Sequence, residues 1–248
     1  MRILLLTLLA LSAGLVAAPL HADWRDTLAD ALADERRSDQ EKARDANRKP
    51  LQTLEFFKFD DSMTVLELIP GGGWYTKLLA PVLRANGKLY LALGTDGAQS
   101  LLGEAPLDKV SVLDVETSMT RDAGLLTIAP FDLGINDVDL AVTFRNLHNF
   151  SAVGRDAMNR AVFTALKPGG LYGVVDHTRR HMESDNPENR RRADPVLMIK
   201  EIQAAGFELV DFSTLHFRAD DELRFEVGRR SVAGNTDRFT LLFQKPLD

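Results

Sequence analysis

The stretch Val65-Leu66-Glu67-Leu68-Ile69-Pro70-Gly71-Gly72-Gly73-Trp74 constrains this chain more than any other. Apolar positions surround one carboxylate, three glycines follow, and Trp74, Leu78, Leu79 and Val82 then recur at helical spacing. That order reads as strand, tight turn and helix. Glycine has no Cβ, so such a turn takes positive φ and lets a ligand touch the main chain, while the helix start adds unpaired N–H groups.

The same alternation continues along the chain. Strands are expected at 64–69, 89–93, 110–113, 138–144 and 171–175. Pro81 lies inside the helix after the first strand and should kink or shorten it. Met158, Val162, Ala165 and Leu166 mark a helix that Lys167-Pro168-Gly169-Gly170 should close with a turn. Asp194-Pro195 supplies an N-cap and a first-turn proline for a helix expected to bury Val196, Ile199 and Ile202, and Gly206 ends it. Two last strands, 207–212 and 239–243, have no convincing helix between them, so antiparallel pairing at one edge is expected, with 218–237 as a polar excursion. Right-handed crossovers then leave an α/β, doubly wound, mostly parallel Rossmann-like sheet with helices on both faces.

Ahead of this lies a helical segment. Trp24, Leu28 and Leu32 predict a short amphipathic helix, and the charged run 34–49 reads as a solvated helix face that stops at Lys49, before Pro50. Pro50 starts a second piece with Leu51, Leu54 and Phe57 on one face. The expected organisation is a signal peptide at 1–22, an N-terminal helical segment at 23–62 and one α/β domain at 63–248.

With 248 residues, 45% of them hydrophobic, the chain can bury one substantial core. A net charge of −6, with basic residues scattered apart from Arg190-Arg191-Arg192, argues against a nucleic-acid partner. The absence of cysteine excludes disulfides, thiolate metal sites and a cysteine nucleophile. Met1-Arg2 and the apolar run 3–20 have the pattern of a secretory leader, with cleavage expected after Ala22. Leu20 fits the small-x-small rule poorly, which leaves a retained anchor of about 18 residues as the alternative. Either way the domain is expected to be periplasmic or secreted, and off the membrane if the leader is cut.

In open sheets of this kind, ligands bind beyond the carboxyl ends of the strands, where strand order reverses. Those ends carry Glu67 and the glycine turn, then Arg145-Asn146-Leu147-His148-Asn149 after the fourth strand, then Asp176-His177 after the fifth. Asp176 and His177 could equally do no more than close a strand. His148, Asp176 and His177 are ligand types, but without tight metal-binding spacing no metal is expected. His181 and His216 are expected on the surface, and Arg190 to Arg192 in a solvated loop. Arg44, Asp45 and Arg48 read as a salt-bridged helix face, with a lid over a bound cofactor as the alternative.

Five motifs in order carry a resemblance: Ala-Asn-Arg-Lys-Pro (46–50), Glu-Leu-Ile-Pro-Gly-Gly-Gly-Trp-Tyr (67–75), Thr-Phe-Arg-Asn-Leu-His-Asn-Phe (143–150), Leu-Lys-Pro-Gly-Gly (166–170) and Thr-Asp-Arg-Phe (236–239). Over about residues 40–246 the chain resembles the class I S-adenosylmethionine-dependent methyltransferases, and within them predicted methyltransferases of exported bacterial proteins. The resemblance implies a seven-stranded sheet with an antiparallel last strand, S-adenosylmethionine as cofactor and a small-molecule substrate. It places Glu67, Gly71, Gly72 and Gly73 at the amino-acid end of the cofactor, with Asn146 beside them, and Asp114 near the adenine. Ile69 stands where a further glycine is usual, and Leu93 where an acid commonly holds the ribose; Asp96 is an unaligned substitute for that acid. Methyl transfer from a sulfonium asks the protein for in-line placement and for removal of the nucleophile's proton. His148 is the preferred base or orienting group, with His177 and Asp176 as rivals. Two other functions compete. One is a non-catalytic, methyltransferase-like binding module in the periplasm. The other, a nicotinamide enzyme, is opposed by the missing G-x-G-x-x-G spacing and ribose acid.

Overall fold

The computed structural model describes residues 23–247. The expected leader and its cleavage after Ala22 lie outside the described residues. A seven-stranded sheet is built from β1 (Thr64–Leu68), β2 (Lys88–Ala92), β3 (Ser111–Val112), β6 (Val138–Phe144), β7 (Leu166–His177), β8 (Glu208–Ser213) and β9 (Arg238–Gln244). Its order is β3-β2-β1-β6-β7-β9-β8, parallel from β3 to β7, with β9 antiparallel to both β7 and β8. The sheet is therefore α/β, doubly wound and Rossmann-like, as expected.

Strand alternation gives the sheet two cores. Val65, Leu140 and Val142 face one layer, with Leu54, Phe57, Leu78 and Leu79. Leu66, Ala141 and Val174 face the other, with Met158, Val162 and Ile202. Because both faces are covered, β1 reads as an apolar run, and Glu67 on the face of Val65 is its one buried charge carrier.

The helices are α1 (Trp24–Ala33), α2 (Asp39–Lys42), α3 (Asp45–Arg48), α4 (Pro50–Phe56), α5 (Thr76–Leu83), α6 (Asp96–Gln99), α7 (Ala152–Ala165) and α8 (Pro195–Ala204). Asp23 caps α1, and Asp194 caps α8 through the N–H groups of Val196 and Leu197. Helix α5 keeps Pro81 within its eight residues. Within α8 the expected burial shifts: Val196 is exposed, and Met198 joins Ile202 in the core.

Three expectations need correction. The charged run 34–49 is not a solvated face: it breaks into α2 and α3 and lies over the glycine turn, with Arg37 and Arg48 buried and the Trp74 indole N–H donating to the Glu41 carbonyl (3.0 Å). Strand β7 begins at Leu166, so Lys167-Pro168-Gly169-Gly170 opens the strand instead of forming a separate turn, and the strand extends through Asp176 and His177. A hairpin of β4 (Met119–Asp122) and β5 (Leu125–Ile128) was not expected; its turn, Ala123-Gly124, has both φ values positive, which suits a two-residue hairpin. No described helix is long and apolar enough to cross a membrane.

Gly173 in β7 lies against Phe57, and a Cβ there would sit 2.6 Å from the ring. Gly173→Ala is expected to lower stability by about 1–3 kcal/mol in urea unfolding, through overpacking of the Phe57 layer. An unchanged midpoint would mean that Phe57 moves freely.

Candidate active site

Chain order reverses between β1 and β6, and the loops leaving their carboxyl ends form the site. Each of three strands ends on a left-handed residue other than glycine: Ile69 (φ 54°) after β1, Leu93 (φ 61°) after β2 and Arg145 (φ 64°) after β6. A β-branched residue rarely adopts this conformation. Ile69 is held there from two sides: its N–H donates to the Ala92 carbonyl (2.9 Å), and the Asn146 amide donates to the carbonyls of Leu68 (3.2 Å) and Ile69 (3.3 Å). Ile69 thus has the backbone shape that a glycine would supply, and only its side chain departs from the motif.

Gly71 and Gly72 have no atom within 4 Å of where a Cβ would be, so this face of the turn is open to a ligand. Gly73 differs, since a Cβ there would meet Leu101 at 2.5 Å, and so does Gly97, whose Cβ would lie 2.6 Å from the Gly71 carbonyl oxygen. These two glycines let the turn and the loop after β2 pack together. Glu67 accepts a hydrogen bond from Thr76 Oγ1 (2.7 Å), and burial pushes its carboxyl up to about 7, against the Thr76 bond and nearby Arg48, which lower it. Glu67, Gly71, Gly72 and Asn146 line an inner cavity of about 220 Å³.

An outer cavity of about 460 Å³ adjoins it, and Arg44, Arg48 and Arg145 line both. His148 and His177 line the outer one. Asp176 is fully buried behind them and accepts from His148 Nδ1 (2.5 Å), the His148 backbone N–H (3.0 Å) and the His177 backbone N–H (2.7 Å). With Asp176 as the acceptor, Nδ1 is the donor of this bond, and a neutral His148 imidazole then has its lone pair on Nε2, which has no protein partner among the described residues. His177 Nδ1 pairs with Thr236 Oγ1 (2.8 Å). Burial, then repulsion from any proton placed on the neighbouring His148 ring and from the guanidiniums of Arg238 and Arg145, holds His177 well below its ordinary pKa, so it stays neutral.

The sequence candidates thus divide. Glu67, Gly71, Gly72 and Asn146 meet at the inner cavity, while His148, His177 and Asp176 meet at the outer one. Asp96, at the start of α6, and Asp114, beyond β3, are exposed at the ends of their strands and line neither cavity. His181 is exposed, as expected, but His216 is buried: Nε2–H donates to the Arg48 carbonyl (3.0 Å) and Nδ1 accepts from Thr240 Oγ1 (2.7 Å). Asp45 pairs with Arg37, while Arg44 and Arg48 border the two cavities and do not pair with Asp45 as a salt-bridged helix face would require. The run 190–192 also splits, with Arg192 buried against Asp221 and Arg191 paired with Glu226 at the outer cavity. Among the described residues no three His, Asp or Glu side chains are placed to hold a metal ion.

No protein-family model matches the chain, and no curated protein matches it in sequence. Solved structures do match in shape. A SAM-dependent methyltransferase from Aquifex aeolicus superposes with a TM-score of 0.57 at 16% identity, over 90% of this chain and 99% of that one. The glycopeptide N-methyltransferase MtfA, complexed with sinefungin, gives 0.52 at 14% identity over 81% and 87%. This is the methyltransferase fold. The [4+2]-cyclase SpnF shares it as well, with a TM-score of 0.54 at 20% identity over 91% and 94% of the two chains. Within the methyltransferase fold the reaction is therefore decided by the residues of the site.

Glu67 yields a pH test. Its pKa is raised in the folded state, so its contribution to stability is full below the ordinary value of 4.5 and is lost as pH rises through about 7. Urea unfolding at pH 5 and pH 8 should show wild type losing on the order of 3 kcal/mol relative to Glu67→Gln between these values. A pH-independent difference would mean that the carboxyl is solvated.

Proposed function

We propose that this protein transfers a methyl group from S-adenosylmethionine, seated at the glycine turn, to a small-molecule nucleophile in the outer cavity. The observation that carries the reading is the pairing of the two cavities across the shared wall of Arg44, Arg48 and Arg145, one with open glycines and an acid, the other with an oriented histidine. The residues fit the cofactor. The open faces of Gly71 and Gly72 admit it against the backbone, Glu67 offers a carboxylate to its ammonium, and Arg48 offers a guanidinium to its carboxylate. Asp96 and Asp114 stay available for the ribose and adenine from the ends of β2 and β3.

S-adenosylmethionine, when bound, supplies an electrophilic methyl group on a sulfonium. His148 Nε2 accepts the proton of the acceptor's O–H or N–H as the new bond to carbon forms. Acceptor and S-adenosylmethionine thus become methylated acceptor, S-adenosylhomocysteine and a proton, which His148 passes to water. Asp176 keeps the ring in the required tautomer and stabilises the imidazolium. A histidine oriented by Asp176 at the wall of the outer cavity supports the enzyme over the non-catalytic module. On residues 1–22 alone we place the enzyme outside the cytoplasm, so cofactor must reach it there.

Calorimetric titration tests the first half. S-adenosylmethionine and S-adenosylhomocysteine should bind the purified protein, and absence of heat at millimolar ligand removes the proposal. On an acceptor found by screening, His148→Ala should lower kcat about 10²–10⁴-fold while S-adenosylhomocysteine affinity stays the same. Unchanged turnover would remove His148 as base.

A further inference from the structure

Three arginines from three distant segments meet at the outer cavity. Arg48 ends α3, Arg145 follows β6, and Arg238 opens β9 opposite His177, its register partner in β7. Arg48 and Arg238 are more than nine-tenths buried. Arg48 lies over the Trp74 ring at 4.2 Å, and Tyr75 beside it stacks on Phe144 at 3.5 Å. Arg238 Nη1 donates to the Asn47 carbonyl (3.0 Å), and its buried Nε has no partner among the described residues.

Their charge is not cancelled within the described protein. Arg37, Arg191 and Arg192 pair with Asp45, Glu226 and Asp221, whereas Arg48, Arg145 and Arg238 make no ion pair among the described residues. Asp176, which attracts Arg145 and Arg238, is turned toward the two histidines. Burial keeps the Tyr75 phenol neutral, with its pKa pushed up to about 12. Burial and mutual repulsion lower Arg48 to about 9 and Arg238 to about 10, so both still carry charge at neutral pH, and burial lowers Arg145 as well. Buried cations in this state favour an anion that desolvates against them.

The cofactor answers only part of this demand. It brings one carboxylate, to the inner cavity, which Arg48 and Arg145 border but Arg238 does not. Arg238 and His148 share the outer cavity.

We infer that the acceptor is an oxyanion, a small molecule whose carboxylate or phosphate group sits on Arg238 and Arg145 while its nucleophile meets His148 Nε2. This rests on the outer cavity being the acceptor's half of the proposed methyltransferase site. Guanidinium forks on the anion fix the distance and direction of the nucleophile, which is the placement that methyl transfer requires. The pairing also selects against neutral and cationic acceptors, which would leave the arginines unpaired.

Calorimetry with pyrophosphate and with citrate, at low salt, tests the assignment without turnover. At least one probe should bind the purified protein, and the tighter of the two tells phosphate from carboxylate. Arg238→Gln and Arg145→Gln should each weaken binding about tenfold or more, as expected for a lost charge-assisted bond. Arg160→Gln, at an exposed pair with Asp156, should leave it unchanged. If Arg238→Gln fails to fold, the half-buried Arg145 and the exposed Arg44 carry the same test. No binding of either probe at about 10 mM, or equal binding by the arginine variants, overturns the assignment. So does competition with S-adenosylhomocysteine, which would put the anion in the cofactor's half. Parallel titration with S-adenosylhomocysteine alone separates the two ideas: its binding without probe binding sinks the oxyanion acceptor only, and the reverse sinks methyl transfer, and the acceptor with it, and leaves an anion site on the arginines.

Discussion

The site depends on how the main chain leaves the sheet. At the ends of β1, β2 and β6 the backbone turns left-handed at Ile69, Leu93 and Arg145, none of them glycine. Such residues persist only where their surroundings over-determine them. At Ile69 and Arg145 the restraint is a backbone bond each, Ile69 N–H to the Ala92 carbonyl and Arg145 N–H to the Val175 carbonyl at 2.7 Å, to which the Asn146 side-chain amide adds bonds to the carbonyls of Leu68 and Ile69. Each bond uses a neighbouring strand, so the turns are set by the sheet and not by local sequence. The result is that the glycine turn, Arg145 and Asp176 are delivered to one edge in fixed relation.

From that edge the two halves acquire different chemistry. The inner half buries a carboxyl whose proton is retained up to about pH 7, beside glycines that leave the backbone accessible. The outer half buries guanidiniums next to His148 and a neutral His177. Arg44, Arg48 and Arg145 border both halves, so what distinguishes them is Glu67 with the open glycines on one side and Arg238 with the histidines on the other.

Much of this was legible in the chain. Unbroken apolar runs and the Asp194-Pro195 and Pro50 signals marked the strands and helices, because the central strands are buried on both faces and those helices carry a distinct start. The hairpin β4–β5 was hidden, since β4 is exposed along its whole length and shows no apolar alternation. His148, Asp176 and His177 could be named from strand ends, but their division into base, orienting carboxylate and Thr236-bound neighbour needed coordinates. His216 read as a surface residue because its partners, the Arg48 carbonyl and Thr240, lie far away in sequence. The arginines were the hardest. In sequence, Arg48 sits in a charged run, and only the fold shows that its neighbours Arg37 and Asp45 pair with each other.

That last point bears on what the protein as a whole is built to do. The chain carries a net charge of −6, and acids are abundant enough to have paired every arginine in the cleft. Instead Arg191 and Arg192, beside the outer cavity, take Glu226 and Asp221, while Arg48, Arg145 and Arg238 are packed under Trp74, Tyr75 and the sheet without a counter-ion among the described residues. Leaving a buried charge unpaired opposes folding. Hydrophobic burial on both sheet faces supplies the stability that offsets it, and the three arginines come from segments far apart in the chain that meet only once β6, β7 and β9 are aligned. A cost of that kind, imposed at one place and spared elsewhere, marks the cavity as a place where the missing negative charge arrives with a ligand.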